Sequence, residues 1–358
     1  FWLKHESWFS FGAMRRFSPK LVLSGRRWSS APRVIDVHAH VVLEEVSGAA
    51  GSYGPEVGEE AGQPFYRIGD YYLRGVKYRG SPFMDPEVRI ARMDACGIDL
   101  QVLSPNPLTY FHHIPLRDAV SFCRKHNDAL AALVQRYPGR LLGLAAVPMQ
   151  SPYDAARELE RATTQLGLVG AGCGTEFPFE LDSPEMDIFY AASCDLNVPV
   201  FMHPAPRGID GPPADPKLKR FELDVILGFS LEATVAISTI VFGQVFERHP
   251  RLDLCFPSGG GAISFLAARA EVASRSRPWV PGTLREPGAF HKALRRIWVD
   301  THVHDDGAFQ LIRKHLGDDR LVFGTNFAGW DQAEGPSPPV LDGVDVLGNA
   351  KRLLRLPR

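Results

Sequence analysis

The chain has 358 residues, 45% of them hydrophobic, and a formal net charge of −1 from 40 Lys and Arg against 41 Asp and Glu. Near-neutrality excludes a generally basic nucleic-acid binder and a strongly acidic disordered chain, and the apolar content suffices for a large buried core. The five cysteines (Cys96, Cys123, Cys173, Cys194, Cys255) are odd in number and never in Cys-x-x-Cys spacing, which argues against a disulfide scaffold or thiolate zinc site and fits a reducing compartment.

The charge is unevenly placed. Residues 1–33 form a basic leader with seven basic groups and one acid, so they carry +6 and leave −7 for residues 34–358. From Met14 onward the leader is rich in Arg and Ser and free of acids, the composition of a transit peptide. Mitochondrial or other organelle targeting is the expectation; a leader without that role, or sequence ahead of a start at Met14, implies a cytoplasmic protein.

Beyond the leader, short apolar runs alternate with longer helical patterns. Strands are predicted over 34–37, 98–103, 142–146, 169–171, 198–202, 252–256, 297–300 and 321–324. They are too uniformly apolar for one face of an antiparallel sheet and read as parallel strands buried on both sides. Helices are predicted over 86–96, 116–137, 152–167, 184–196 and 307–316. Asp85-Pro86, Ser151-Pro152 and Ser183-Pro184 each set a capping side chain before a proline.

Eight such alternations imply one α/β domain over 34–358, a (β/α)8 TIM-like barrel. The rival doubly wound sheet lacks a Gly-x-Gly-x-x-Gly after its first strand. Residues 41–84 form a long loop insertion after strand one, expected on the active-site face. The apolar stretch 225–246 contains Glu232 with Ser230, Thr234, Ser238 and Thr239, and so reads as a buried helix rather than a membrane span.

The chemistry-bearing residues gather at predicted strand ends. VIDVHAH places His38 and His40 two residues apart at the end of strand one, where both can turn to one ion. His203, after the strand VPVFM, is the natural third ligand. Three protein ligands with a position left for water or substrate is the usual form of a catalytic metal site.

The segments VIDVHAH, DPEVRIARMD, YPGRLLGLAAVPMQSP, VFMHP, FERHPRLDLCF with the following SGGGA, WVDTHVHD, DRLVFGTNF and LGNA resemble the amidohydrolase superfamily. Within it, they are similar to the aminocarboxymuconate semialdehyde decarboxylase-like family over 34–354. The resemblance implies a barrel of the metal-dependent hydrolase type and a divalent metal, usually zinc, on His38, His40, His203 and a position after strand eight. It also implies an acid/base group just before the Gly-Gly-Gly turn, a small carboxylic acid substrate and a homodimer to which the 225–246 helix can contribute.

Two positions depart from that pattern. Ser258 stands where the resemblance places the acid/base histidine, and Asn326 where it places the aspartate ligand. Serine is no base near neutrality without a partner, and asparagine offers a carbonyl oxygen but no charge. Asp331, His302 and His304 are the residues able to compensate, and Asp300 can orient a ligand from behind. In YYLRGVKYRG, where the resemblance implies a carboxylate-binding arginine, Arg74, Lys77 and Arg79 are the candidates. Phe111, His112 and His113 follow strand two and are expected near the pocket.

The expected activity is metal-dependent, non-oxidative decarboxylation of a small unsaturated or aromatic acid, with no nucleic-acid or membrane partner. The alternatives are a metal-dependent hydrolase on the same barrel, or a family member impaired at Ser258 and Asn326. VGAGCGTEF lacks a lysine ligand, which speaks against the binuclear hydrolase type.

Overall fold

The computed structural model describes residues 32–332 and 343–357. Residues 1–31, and with them the transit-peptide expectation, lie outside the described residues. The strand β1 (Ile35–Val41) leads into three short strands, β2 (Glu56–Glu60), β3 (Gln63–Ile68) and β4 (Tyr71–Arg74), and then α1 (Pro86–Ala95). Next come β5 (Leu100–Pro105), α2 (Leu116–Arg136), β6 (Leu141–Gly143), β7 (Ala145–Ala146), α3 (Pro152–Thr164), β8 (Ala171–Cys173) and α4 (Asp187–Leu196). After β9 (Val200–Met202) come three helices, α5 (Pro216–Lys219), α6 (Phe229–Phe242) and α7 (Val245–Arg248). The remainder is β10 (Leu254–Phe256), α8 (Ile263–Ser276), α9 (Ala289–Leu294), β11 (Trp298–Asp300), α10 (Asp306–Leu316), β12 (Leu321–Val322) and α11 (Val346–Leu353).

The strands close into a parallel barrel. β1 pairs with β5 and β5 with β6, while β7 through β12 pair in sequence. Leu144 bridges the two sheets: its N–H donates to Leu103 (2.8 Å), and the next N–H, of Ala145, donates to Gly170 (2.8 Å), so β6 and β7 act as one barrel strand. Closure runs through Val37 N–H to Phe323 O (2.9 Å) and Phe327 N–H to His38 O (3.1 Å). The eight predicted strands all lie in this barrel, the second and fourth displaced by two residues to Leu100–Pro105 and Ala171–Cys173. β1 and β5 are buried along their whole lengths, as two-sided strands require.

Local chemistry explains several helix starts. Asp85 accepts from the N–H groups of Glu87 and Val88, and Ser151 from that of Asp154. Ser183 departs from expectation: Pro184–Met186 forms a 3-10 turn before α4, and the Ser183 side chain caps nothing. The insertion also differs from a plain loop. Gln63–Ile68 pairs antiparallel with the strands on either side, giving a small sheet at the C-terminal end of β1.

Among the described residues, 224–242 is one helical run long and apolar enough to cross a membrane. In the fold it packs against α8 and α9 with Ala233, Ala236, Ile237, Ile240 and Val241 buried. Its other side differs from the buried helix expected, because Ile226, Leu227, Leu231 and Val235 are exposed.

Candidate metal centre

His38 and His40 end β1, and His203 follows β9 directly. Their ligand atoms lie within 4.8 Å of one another, and all three side chains are buried. Each ring is fixed through Nδ1. That of His38 is 2.6 Å from Asp300 Oδ2, that of His40 is 2.8 Å from Ser104 Oγ, and that of His203 donates to Pro204 O at 2.5 Å. With Nδ1 engaged, Nε2 is the atom left for an ion; those of His38 and His40 are buried without a hydrogen-bond partner.

Buried polar atoms are rarely left orphaned, so this convergence calls for an occupant. Burial, then the neighbouring imidazoles, holds His40 well below its ordinary pKa, and burial with His38 pulls His203 down to about 3. Neutral imidazoles with free lone pairs are what a divalent metal requires, so the donor set fits one.

The support behind the histidines is extensive. Besides His38, Asp300 accepts from the N–H groups of Gly259 (3.2 Å) and His302 (3.1 Å). Burial opposes its ionisation, but the His38 contact outweighs this and keeps the carboxyl below its usual pKa. Gly324 must be glycine here, since a Cβ would sit 2.8 Å from the Cβ atoms of both Asp300 and His38.

Within β1, Asp36 accepts from Gln101 Nε2 (2.9 Å), Thr325 Oγ1 (2.8 Å) and two backbone N–H groups. The buried Arg89 guanidinium donates to Gln101 Oε1 and to His40 O (2.6 Å). Sequence reasoning missed Asp36, Gln101, Ser104 and Arg89. Asp36 had a usable signal, two residues before His38 in VIDVHAH. Arg89 had none, because its partners lie 12 and 49 residues away.

Ser258 and Asn326 both occupy left-handed backbone, at φ +51° and +48°. Left-handed backbone is costly for residues other than glycine and gathers at functional sites, which fits two positions that follow β10 and β12. The Ser258 hydroxyl has no hydrogen bond to a described residue. Asn326 Nδ2 donates to Asp331 Oδ1 (2.7 Å), and Asp331 Oδ2 lies 3.1 Å from His302 Nε2. That last contact misses hydrogen-bond alignment, so His302 Nε2 is an ion-pair neighbour without an aligned partner.

Burial disfavours the Asp331 carboxylate, yet His302 and then Asn326 outweigh it and hold the carboxyl at about 2. The structure therefore brings together four residues singled out in the sequence, namely Asn326, Asp331, His302 and His304.

The three cations of the insertion are placed differently. Arg74 is exposed, 3.8 Å from Glu60 and over the Tyr72 ring, and Arg79 forms an ion pair with Glu44 through Nε at 3.0 Å. Lys77 has no acidic partner among the described residues. Phe111 turns into the core against Phe122. His112 and His113 line a cavity of about 30 Å³ with Glu176, Arg207, Asp210 and Glu232. A far larger groove, about 1110 Å³, opens at the opposite, N-terminal end of the strands beside Asp253, Arg296 and Trp298. Volume alone would point away from the histidines.

In the small cavity Arg207 binds Glu232 (3.0 Å) and Glu176 (2.8 Å). Burial, then the charge of Glu176, lifts Glu232 from 4.5 to about 7. The folded state therefore holds a proton that the unfolded state loses between about pH 4.5 and 7, and stability falls as pH rises through that window. Glu232→Gln should exceed the parent by ~1–3 kcal/mol at pH 8, and the difference should vanish toward pH 4.5. Urea unfolding at both pH values reads this directly.

A closed (β/α)8 barrel with three strand-end histidines at its C-terminal mouth defines a metal-binding barrel of the enzyme type. The family described as Amidohydrolase matches residues 35–355, and the chain belongs to it. The 2-amino-3-carboxymuconate-6-semialdehyde decarboxylase of Dictyostelium discoideum is 31% identical over 245 residues, 68% of this chain and 66% of that protein. The gamma-resorcylate decarboxylase of a Rhizobium species is 28% identical over 314 residues, 80% of this chain and 91% of that protein. Among solved structures, a dihydroxybenzoic acid decarboxylase from a Polaromonas species, with bound manganese and the inhibitor 2-nitroresorcinol, superposes with a TM-score of 0.68. Its identity is 22%, covering 91% of this chain and 97% of that one. The likeness supports the fold, and that neighbour holds a divalent metal in it.

Proposed function

We propose that this chain is a metal-dependent, non-oxidative decarboxylase of a small unsaturated or aromatic carboxylic acid, with zinc as its ion. One observation carries the reading: His38, His40 and His203 converge, their Nδ1 atoms engaged and the Nε2 atoms of His38 and His40 buried without partners. When bound, the ion supplies positive charge against the substrate's carboxylate region and the negative charge that develops as carbon dioxide leaves. Asp300, Ser104 and Pro204 O hold the three rings in the orientation this needs. Lys77, the insertion cation without a described acidic partner, is suited to the substrate's anionic group.

Proton return to carbon is the step left without the family's donor. Neither the Ser258 hydroxyl nor the Asn326 amide releases a proton near neutrality. These two residues favour a second reading, a metal-binding barrel with little or no turnover. We also propose a homodimer, supported by the exposed apolar side of the α6 run at Ile226, Leu227, Leu231 and Val235. Light scattering should then give twice the 39.6 kDa chain mass.

The test of function is metal analysis of the purified chain, together with loss of ultraviolet absorbance of muconate-type and hydroxybenzoate acids and release of carbon dioxide. Zinc-dependent carbon dioxide release supports the proposal. Ester or lactone cleavage without carbon dioxide establishes the hydrolase, and a metal-loaded but silent protein establishes the impaired member.

A further inference from the structure

We propose that His302, His304 and Asp331 form a second divalent-cation site beside the histidine centre. Their ligand atoms lie within 4.8 Å of one another, a spacing one ion can bridge. Two imidazoles and one carboxylate suit zinc, manganese or ferrous iron and leave positions open for water or substrate oxygen.

The cluster is also partly buried and its side chains face one another. The His302 side chain is 93% buried, and its Nε2 faces Asp331 at 3.1 Å without an aligned hydrogen-bond partner. The surroundings hold the cluster ready. His302 N–H is fixed by Asp300 Oδ1, His304 packs edge-on against His302 with ring centres 4.9 Å apart, and the Asn326 amide fixes the other oxygen of Asp331.

The two clusters are neighbours. The His38 and His302 rings meet edge-on at 5.8 Å, and Asp300 touches both, through His38 Nδ1 on one oxygen and the His302 N–H on the other. Among the described residues the ligand set of the first centre is three imidazoles, whereas the second cluster includes a carboxylate. A lysine on strand four plays no part in it, so this arrangement is not the binuclear site that VGAGCGTEF argued against. Resting on the decarboxylase reading, a pair of adjacent cations suits an acid with a second oxygen next to its carboxylate, one oxygen on each ion.

The experiment counts metal and does not depend on turnover. The full-length chain is stripped with chelator, loaded with manganese, desalted and analysed by plasma mass spectrometry, alongside His304→Ala, Asp331→Asn and His203→Gln. His304 is exposed, so its truncation leaves the fold intact. Two equivalents in the parent and one in each variant are expected, with thermal melting of His203→Gln still rising on manganese addition. One equivalent in the parent, kept by His304→Ala and Asp331→Asn but lost by His203→Gln, overturns the second site and leaves the decarboxylase reading standing. Absence of any bound metal in the parent overturns both, and two equivalents without carbon dioxide release overturn only the decarboxylase.

Discussion

His203→Ala is expected to release the ion of the three-histidine centre and lower turnover by more than ~100-fold, beyond the ~10–100-fold that loss of a supporting partner typically costs. Three buried imidazoles make up the centre, and among the described residues no carboxylate joins them as a ligand. Asp300 is committed to His38 and to two backbone N–H groups. Asp331 belongs to the neighbouring His302–His304 cluster, with Asn326 on its other oxygen. His203 Nδ1 is held by Pro204 O, so its contribution is geometric as well as chemical. Because alanine leaves a gap, His203→Gln should accompany it as a variant of closer volume. Both should unfold with parent-like denaturant slopes while showing depleted metal and activity. Retained metal and near-parental turnover in both would remove His203 from the centre.

Restoring Ser258→His with Asn326→Asp is expected to raise decarboxylation by ~10²–10⁴-fold, the usual contribution of a positioned acid/base group. The backbone at both positions is left-handed, a region that histidine and aspartate enter more readily than most residues, so both side chains can be accommodated. The single Asn326→Asp change is less favourable. Its carboxylate would face Asp331, whose Oδ1 now accepts the Asn326 amide at 2.7 Å, and two close carboxylates cannot both ionise without a cation between them. In the metal-free protein that variant should therefore lose stability, and metal should restore it. Steady-state kinetics of the parent, both single variants and the double variant separate these effects. No gain in the double variant would mean that proton delivery does not limit this chain.

Much of this was legible in the sequence because the signals were local. Buried parallel strands announce themselves as short apolar runs, and His38, His40 and His203 fall at strand ends where the barrel gathers its functional groups. The helix starts at Asp85 and Ser151 were equally readable, since a cap is settled within three residues. Ser183 shows the limit. The same dipeptide opened a 3-10 turn, and its hydroxyl found no backbone partner.

The supporting network was hidden for a different reason. Asp300 reaches His38 across 262 residues, and Arg89 reaches His40 across 49, so no periodicity links them. The pairing of Asp331 with His302 likewise depends on β11 and the segment after β12 standing side by side. Arg74 and Arg79 illustrate the converse. A basic run suggests an anion clamp, and only the folded insertion reveals that Glu60 and Glu44 lie against them.

Turnover in D₂O reports on the chemistry itself. The zinc-loaded chain is incubated with a panel of unsaturated and aromatic acids, and products are read by mass spectrometry and proton-decoupled carbon spectra. Decarboxylation predicts a product lighter by carbon dioxide and carrying one deuterium on the carbon that held the carboxylate, formed by the metal-loaded protein and absent after chelation or in His203→Gln. A product that retains its carboxylate, or deuterium incorporation that persists without metal and without His203, would contradict a decarboxylase built on His38, His40 and His203.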